Sequence, residues 1–311
     1  MSDVRIRHTI KFGNMSVSTD VSVVIVNYHT YSLLEACIQS IFKYTEGLDF
    51  EVIVVDNHSD SELPTKLNLV FPGKVVVVQL SENVGFGRAN NEGFKIAKGK
   101  YVFCLNPDTL LLNNAIKILY DYLELHPSVG VCGGNLFDSE MNPTHSYRMA
   151  LPSLWWEMDW HLGCFFGKLM WGRNLEFNHT DRPRRVGYIT GADMMVRKEI
   201  INQVGGFSRY FFMYYEECEL TYRIRKQGYD VFSVPAARIQ HLEGKSFPSS
   251  ELTTKTKYQT YSRLMYHRLC SPIVYRLLAL YAKLCSKMPV QKSAYLDYKV
   301  NVFRQIDRNV K

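Results

Sequence analysis

At 311 residues the chain exceeds a typical single domain, and its balance of 46% apolar and 22% charged residues is that of a globular protein, which excludes bulk disorder. A formal charge of +7 suits phosphate-bearing ligands, anionic membrane surfaces or nucleic acid without choosing among them, and a merely soluble basic protein carries the same charge. Seven cysteines, an odd number with no C-x-x-C pair, point away from a zinc site or a disulfide framework and towards a reducing cytosol.

The first 20 residues lack an apolar core of signal-peptide length, and no run of about 18 uncharged apolar residues follows, so the expectation is a cytoplasmic chain that does not span a membrane. Val21 to Tyr28 is a continuous β-branched run, the pattern of a strand buried on both faces. A helix should follow, with Ser32 and Glu35 at capping-box spacing and Leu34, Cys37, Ile38, Ile41 and Phe42 on one face. The pattern then predicts strands over 50–56 and 74–80, a helix over 88–98 stopped by Gly99, a strand over 101–105, a helix over 114–125 and a strand over 129–133. Strands separated by helices imply right-handed crossovers and an α/β fold around a twisted, mostly parallel sheet.

Between 151 and 185 periodicity fades, and Trp155, Trp156, Trp160, Phe165, Phe166 and Trp171 crowd together, as a packing layer for most of the rings or as an aromatic wall for an acceptor. Regular patterns return as a strand over 186–190, helices over 197–204 and 216–227, and a strand over 229–234. Beyond 250, two amphipathic helices broken at Pro272 carry Tyr258, Tyr261, Leu264, Met265 and Leu269, then Ile273, Leu277, Leu280, Tyr281 and Leu284, with Arg263, Arg268, Arg276, Lys283 and Lys287 among them. They read either as a cap over the core or as a rest on an anionic membrane surface.

Ligands of such sheets bind beyond the carboxyl ends of the strands. Three polar clusters fall there: Asp56 to Asp60, Asn83 to Asn90, and Asn106-Pro107-Asp108. Each alone is compatible with turn chemistry. A fourth cluster, Glu216-Glu217-Cys218-Glu219-Leu220-Thr221-Tyr222-Arg223, gathers carboxylates at a helix start, where a cation, proton or ligand must answer them. On that helix Glu219 and Arg223 can pair at i,i+4 as pure architecture, leaving Glu217 off their face. Gly85-Phe86-Gly87 is a poor dinucleotide fingerprint, because position 90 is Asn and the element follows the third strand.

In that order these motifs resemble the inverting family-2 glycosyltransferases of GT-A fold, and in particular their rhamnosyltransferase-like branch. The resemblance covers about Val21 to Ser246. It implies a catalytic domain over 21–250, with a donor half to about 135 and an acceptor half after it, between an N-terminal segment (1–20) and a helical extension (251–311). It implies contacts to a UDP- or dTDP-type sugar donor from Asn27, Asp56, Asn83, Gly85, Arg88, Asn106 and Asp108. Asn57 and Asp60 also read as parts of an Asx turn with Ser59, and the glycines as tight-turn residues.

A divalent metal, Mn2+ or Mg2+, would be held by Asp108 and by His241, whose H-x-x-G-x-S context matches the family although a lone histidine is often structural. Gly191 and Ala192, in a G-A-x-M-x-x-R segment, would line the acceptor side with Glu216 and Glu219. Glu217 would be the general base, although the family usually carries aspartate there and at position 219. The implied acceptor is a glycan or lipid-linked glycan of a surface polysaccharide, the protein resting peripherally on the inner face of the membrane, with no nucleic acid partner. A nucleotidyltransferase should carry a Gly-rich loop with Arg after the first strand, and Asn27-Tyr28-His29-Thr30 has none. A binding protein that kept the fold without turnover is the non-enzymatic alternative.

Overall fold

The computed structural model describes residues 6–10, 19–242, 252–285 and 294–310. Its elements run β1 (Ile6–Ile10), β2 (Val21–Asn27), α1 (Tyr31–Tyr44), β3 (Phe50–Asp56), α2 (Leu63–Val70), β4 (Val75–Leu80), α3 (Phe86–Ile96), β5 (Tyr101–Leu105), β6 (Thr109–Leu111), α4 (Ala115–Leu125) and β7 (Val129–Phe137). The second half runs β8 (Tyr147–Arg148), α5 (Leu154–His161), α6 (Phe165–Trp171), β9 (Arg184–Arg185), β10 (Tyr188–Ile189), β11 (Asp193–Arg197), α7 (Lys198–Val204), α8 (Glu216–Lys226), β12 (Asp230–His241), α9 (Leu252–Cys270), α10 (Pro272–Cys285) and α11 (Ala294–Asn309).

The main sheet has the order β1-β4-β3-β2-β5-β11-β7-β12-β6. The pairs β3–β4, β2–β3, β2–β5 and β7–β12 are parallel, while β1, β11 and β6 run antiparallel to their neighbours. The period of two sorts β2 onto both faces: Val21, Val23 and Ile25 meet α1, α2 and α4 on one side, and Val24 and Val26 meet α3, α7 and α8 on the other. Mixed α/β layering around a mostly parallel sheet is thus the architecture expected from the alternation of runs.

Several predicted elements differ from the observed ones. No capping box forms at α1: Thr30 precedes it without a side-chain cap, and the Glu35 carboxylate instead accepts from Gln39 Nε2 at 3.1 Å. Residues 193–197, partly assigned to a helix, form β11, because hydrogen bonds from β5 on one side and β7 on the other hold them extended. The strand predicted over 186–190 shrinks to β10, and the one over 229–234 continues to His241 past Pro235, where a register shift between Ser233 and Arg238 accommodates the missing donor.

The aromatic segment was expected mainly as packing, and this is corrected. Trp155, Trp160, Phe165 and Phe166 are exposed on the α5–α6 hairpin, Trp155 edge-on to Trp171, Trp160 stacked on Trp156 and the two phenylalanines edge-on to each other. The C-terminal helices divide in the same way. Leu264, Met265 and Tyr266 bury α9 against Tyr188, Phe211 and Cys218, whereas Ile273, Leu277, Leu280, Tyr281 and Leu284 of α10 are exposed. Among the described residues, no helix is long and apolar enough to cross a membrane.

Candidate active site

Every candidate loop leaves the sheet at one rim. At the ends of β2 and β3, Asn27 and Asp56 are both buried, and Asn27 Nδ2 donates to Asp56 Oδ1 at 3.2 Å and to Ser59 Oγ at 2.8 Å. The Ser59 amide (3.3 Å) and hydroxyl also donate to Asp56 Oδ1, and the Asp60 amide donates to Oδ2 at 3.2 Å. The Asx turn with Ser59, expected to account for Asn57 and Asp60, is instead made by Asp56, which braces the loop with its carboxylate. Asn57 Nδ2 donates to Asn83 Oδ1 at 2.8 Å, and Asn57 Oδ1 accepts from the Val84 amide at 2.9 Å. This pair of amide side chains fastens the end of β3 to the turn before α3.

That turn depends on Gly85. Its φ is +86°, and a Cβ added there would stand 2.2 Å from the Phe212 carbonyl oxygen, which already accepts from the Phe86 amide at 2.9 Å. A Gly87 Cβ would lie 2.9 Å from Phe207 Cβ and 3.5 Å from Glu216 Cβ. The start of α3 is thus pressed against the loop that leads into the acidic helix α8. Arg88, expected at the donor, turns its Nε back to the Val84 carbonyl at 2.6 Å, and Asn91 holds Phe207 through its amide and carbonyl, both at 2.8 Å.

At the other side of the rim, Thr109 of β6 pairs with His241 of β12. This register brings His241 Nε2 within 3.3 Å of Asp108 Oδ1 and 3.4 Å of Asn106 Nδ2. Two adjacent ligands of an octahedral cation with bonds of about 2.1 Å stand about 3 Å apart, so the carboxylate and imidazole fit one divalent ion. Among the described residues, no group of three or more His, Cys, Asp or Glu surrounds a cation site. Gly244 and Ser246 of the histidine motif lie outside the described residues.

Ala192 adjoins this pair, since its carbonyl accepts from the Asn106 amide at 3.0 Å, and Gly191 lies against the Phe86 ring. Asp193, given no role from the sequence, is buried with Oδ2 accepting from the Gly134 amide at 2.6 Å, in range of the His241 charge. A carboxylate beginning a buried strand was the available signal. Arg197 of the same segment does not line a site. It sits at the far end of β11 and binds the Val129, Leu123 and His126 carbonyls and the Tyr101 hydroxyl.

The acidic helix begins after two tyrosines, Tyr214 (φ +70°) and Tyr215 (φ +65°), both in the left-handed region that bulky residues avoid. Strain of this kind persists where packing over-determines it, and here it sets the direction in which the first turn of α8 presents its carboxyls. Glu219 takes both Arg223 Nε and one terminal nitrogen at 2.7 Å, and Arg223 also binds the Val204 and Gly206 carbonyls beyond α7. The i,i+4 pair expected from spacing is present, and it occupies the whole of Glu219.

Glu216 and Glu217 are different. Glu216 is buried beside α3 with Oε2 lacking a hydrogen-bond partner, and burial and the neighbouring Glu217 charge push its carboxyl well above the usual range. Glu217 is half-buried, Cys218 Sγ lies 3.8 Å from its Oε1, and burial raises its carboxyl to about 7 against the lowering effect of the Glu217 and Cys218 backbone groups. One proton acceptor poised near neutrality beside one carboxyl held protonated is the division that acid–base chemistry requires.

A family model described as glycosyl transferase family 2 matches residues 22–205. The N-acetylglucosaminyl-diphospho-decaprenol L-rhamnosyltransferase of Mycobacterium tuberculosis is 29% identical over 77% of this chain and 82% of its own. The rhamnosyltransferase WbbL of Escherichia coli is 26% identical over 70% of this chain and 85% of its own. The crystal structure of GalNAc-T7 with UDP, GalNAc and Mn2+ superposes with a TM-score of 0.60 at 15% identity, covering 95% of this chain and 57% of that one, a likeness of fold.

Proposed function

The chain belongs to glycosyl transferase family 2, and from that premise we propose that it moves a sugar from a UDP- or dTDP-type nucleoside-diphosphate donor onto a hydroxyl of a lipid-linked or growing surface glycan, inverting the anomeric centre. The observation that carries this reading is the placement of Glu216 and Glu217 at the start of α8, where a Cβ added at Gly87 of the donor-side turn would stand 3.5 Å from Glu216 Cβ and burial raises the Glu217 carboxyl. Glu217 takes the proton of the acceptor hydroxyl, whose oxygen forms the new bond to the anomeric carbon as the bond to the nucleoside diphosphate breaks on the opposite face. Glu216 stays protonated behind it, so that the negative charge of the first turn of α8 concentrates on Glu217.

Asn27, Asp56, Asn57 and Asn83 shape the nucleotide side as a fixed hydrogen-bonded frame, and the Gly85 turn lets backbone approach the donor. Asp108 and His241 would hold a divalent ion, with Asn106 beside them. When bound, such an ion supplies positive charge to the departing diphosphate. The relatives named for rhamnosyl transfer, one of them to a diphospho-decaprenol carrier, support a deoxysugar donor and a lipid-linked acceptor. The three parts of the chain expected from sequence, 1–20, 21–250 and 251–311, are kept in this reading, with α9 joined to the catalytic body through α8.

A donor panel tests the proposal. Purified protein should release nucleoside diphosphate from a UDP- or dTDP-sugar when supplied with Mn2+ or Mg2+ and a polyprenyl-linked glycan, and lose that activity in EDTA. Release of pyrophosphate from a nucleoside triphosphate and sugar phosphate would instead establish a nucleotidyltransferase, and donor binding without turnover a binding protein.

A further inference from the structure

We propose that the α5–α6 hairpin inserts into an anionic lipid bilayer and seats the protein on it. The inference rests on the lipid-linked acceptor proposed above for its purpose, and on the surface of the hairpin for its place. Met158, Phe165, Leu169 and Met170 are 59%, 60%, 74% and 65% exposed, and Trp160 and Phe166 are exposed beside them. Single exposed apolar residues are ordinary, but a contiguous set on one short hairpin marks an interaction site.

Its charges select the partner. The acids of the hairpin, Glu157 and Asp159, are both buried and engaged. Glu157 Oε1 meets His267 Nε2 of α9 at 2.8 Å, with Arg263 at 3.6 Å, and Asp159 accepts from the Phe166 and Gly167 amides at 2.7 and 2.9 Å. From 154 to 173 the exposed Lys, Arg, Asp and Glu side chains are the basic Lys168 and Arg173, and the next acid along the chain, Glu176, is paired with Arg148 at 2.8 Å. Apolar and aromatic side chains carrying exposed basic charges on the same hairpin are the composition of an interfacial element on anionic lipid, whereas a protein interface is normally rimmed by mixed polar groups. The helices, of 8 and 7 residues, are far shorter than the roughly 20 needed to cross a bilayer, so the insertion is shallow.

The hairpin is firmly mounted. The Arg148 guanidinium lies 5.8 Å from the centre of the Trp160 ring and pairs with Glu176, and Arg148 belongs to β8, whose partner β10 carries Tyr188 buried in the field of Glu217.

Flotation with phosphatidylcholine–phosphatidylglycerol vesicles, and with phosphatidylcholine alone, tests the proposal. The intact chain should float with the anionic vesicles, less so in high salt. A quadruple variant, Phe165→Ser, Phe166→Ser, Leu169→Ser and Met170→Ser, should weaken partitioning at least about a hundredfold, and Lys168→Gln with Arg173→Gln about thirtyfold. Melting temperature and donor hydrolysis to water should be unchanged in both. A comparison variant of the exposed α10 stripe, Leu277→Ser with Leu280→Ser and Leu284→Ser, should keep most of the binding. Failure of the intact chain to float, full flotation of the quadruple variant, loss only in the α10 variant, or a dimer in light scattering that the quadruple variant abolishes without vesicle binding would each overturn the proposal. Absence of donor turnover with normal flotation would undo the proposed reaction alone.

Discussion

Replacing Glu217 by Gln removes a proton acceptor while keeping size and hydrogen bonding, and two opposite effects should follow. With the carboxyl at about 7, about half of the wild-type molecules are ionised at neutrality and about a tenth one pH unit below, so turnover should climb nearly tenfold per pH unit up to about 7 and level off above. Glu217→Gln should lose about 10² to 10⁴ in turnover and lose that rising limb, with donor affinity unchanged. Stability should move the other way. A carboxyl whose folded pKa lies above its unfolded value stabilises the native state when protonated, and that contribution is lost as pH rises from about 4.5 to about 7. Glutamine imitates the protonated form, so the variant should melt a few degrees higher at alkaline pH, for a gain of at most about 3 kcal/mol at about 1.4 kcal/mol per pKa unit, and melt like the parent in acid below the usual carboxylate range. Nucleoside diphosphate release across pH, paired with melting curves at both extremes, reads both effects. Near-parental turnover in Glu217→Gln, together with collapse in Glu216→Gln, would place the base on the wrong carboxylate. Glu216→Gln should otherwise be mild near neutrality, since burial and the Glu217 charge already hold that carboxyl protonated.

Asp108→Ala should abolish metal-dependent donor affinity in calorimetry, and retained affinity that still responds to EDTA would remove this residue from the site. Gly85→Ala should destabilise the fold by about 1–3 kcal/mol or more in thermal melts, because φ is +86° and the added Cβ meets the Phe212 carbonyl; an unchanged melting temperature would contradict that close approach. Glu219→Gln should destabilise by about 3 kcal/mol, since it breaks a largely buried bidentate pair and leaves Arg223 uncompensated at the α7 carbonyls. Its donor affinity should hold in the same calorimetric assay, as both Glu219 oxygens are engaged by Arg223.

The first half of the sheet was legible because β2 to β5 are buried on both faces, and such burial selects uninterrupted Val and Ile. The antiparallel strand β11 was not legible: Asp193-Met194-Met195-Val196-Arg197 begins and ends with charge, and only its position between β5 and β7 makes it a strand. Pro235 likewise concealed the second part of β12 until its register shift was seen. In the site, local spacing revealed the Glu219–Arg223 pair, while the Phe212 carbonyl that presses on Gly85 left no trace in sequence. The hairpin aromatics read as core for a physical reason, since a pattern of apolar residues records that something covers them and leaves open whether protein or lipid does so.

The pairing of Thr109 with His241 has a consequence for how the molecule is made. Asn106 and His241, neighbours at the rim, are 135 residues apart along the chain. Closing so long a loop is a slow, entropically opposed step, and synthesis delivers Asp108 well before its imidazole partner exists. A nascent chain can therefore complete β2 to β5 and their helices with only half of the proposed cation pair in place. A ligand that engages both members would bind the finished protein and not its precursors, and by mass action would favour the docked form of the last strand. Affinity for a ligand that bridges the two then doubles as a measure of whether β12 has docked.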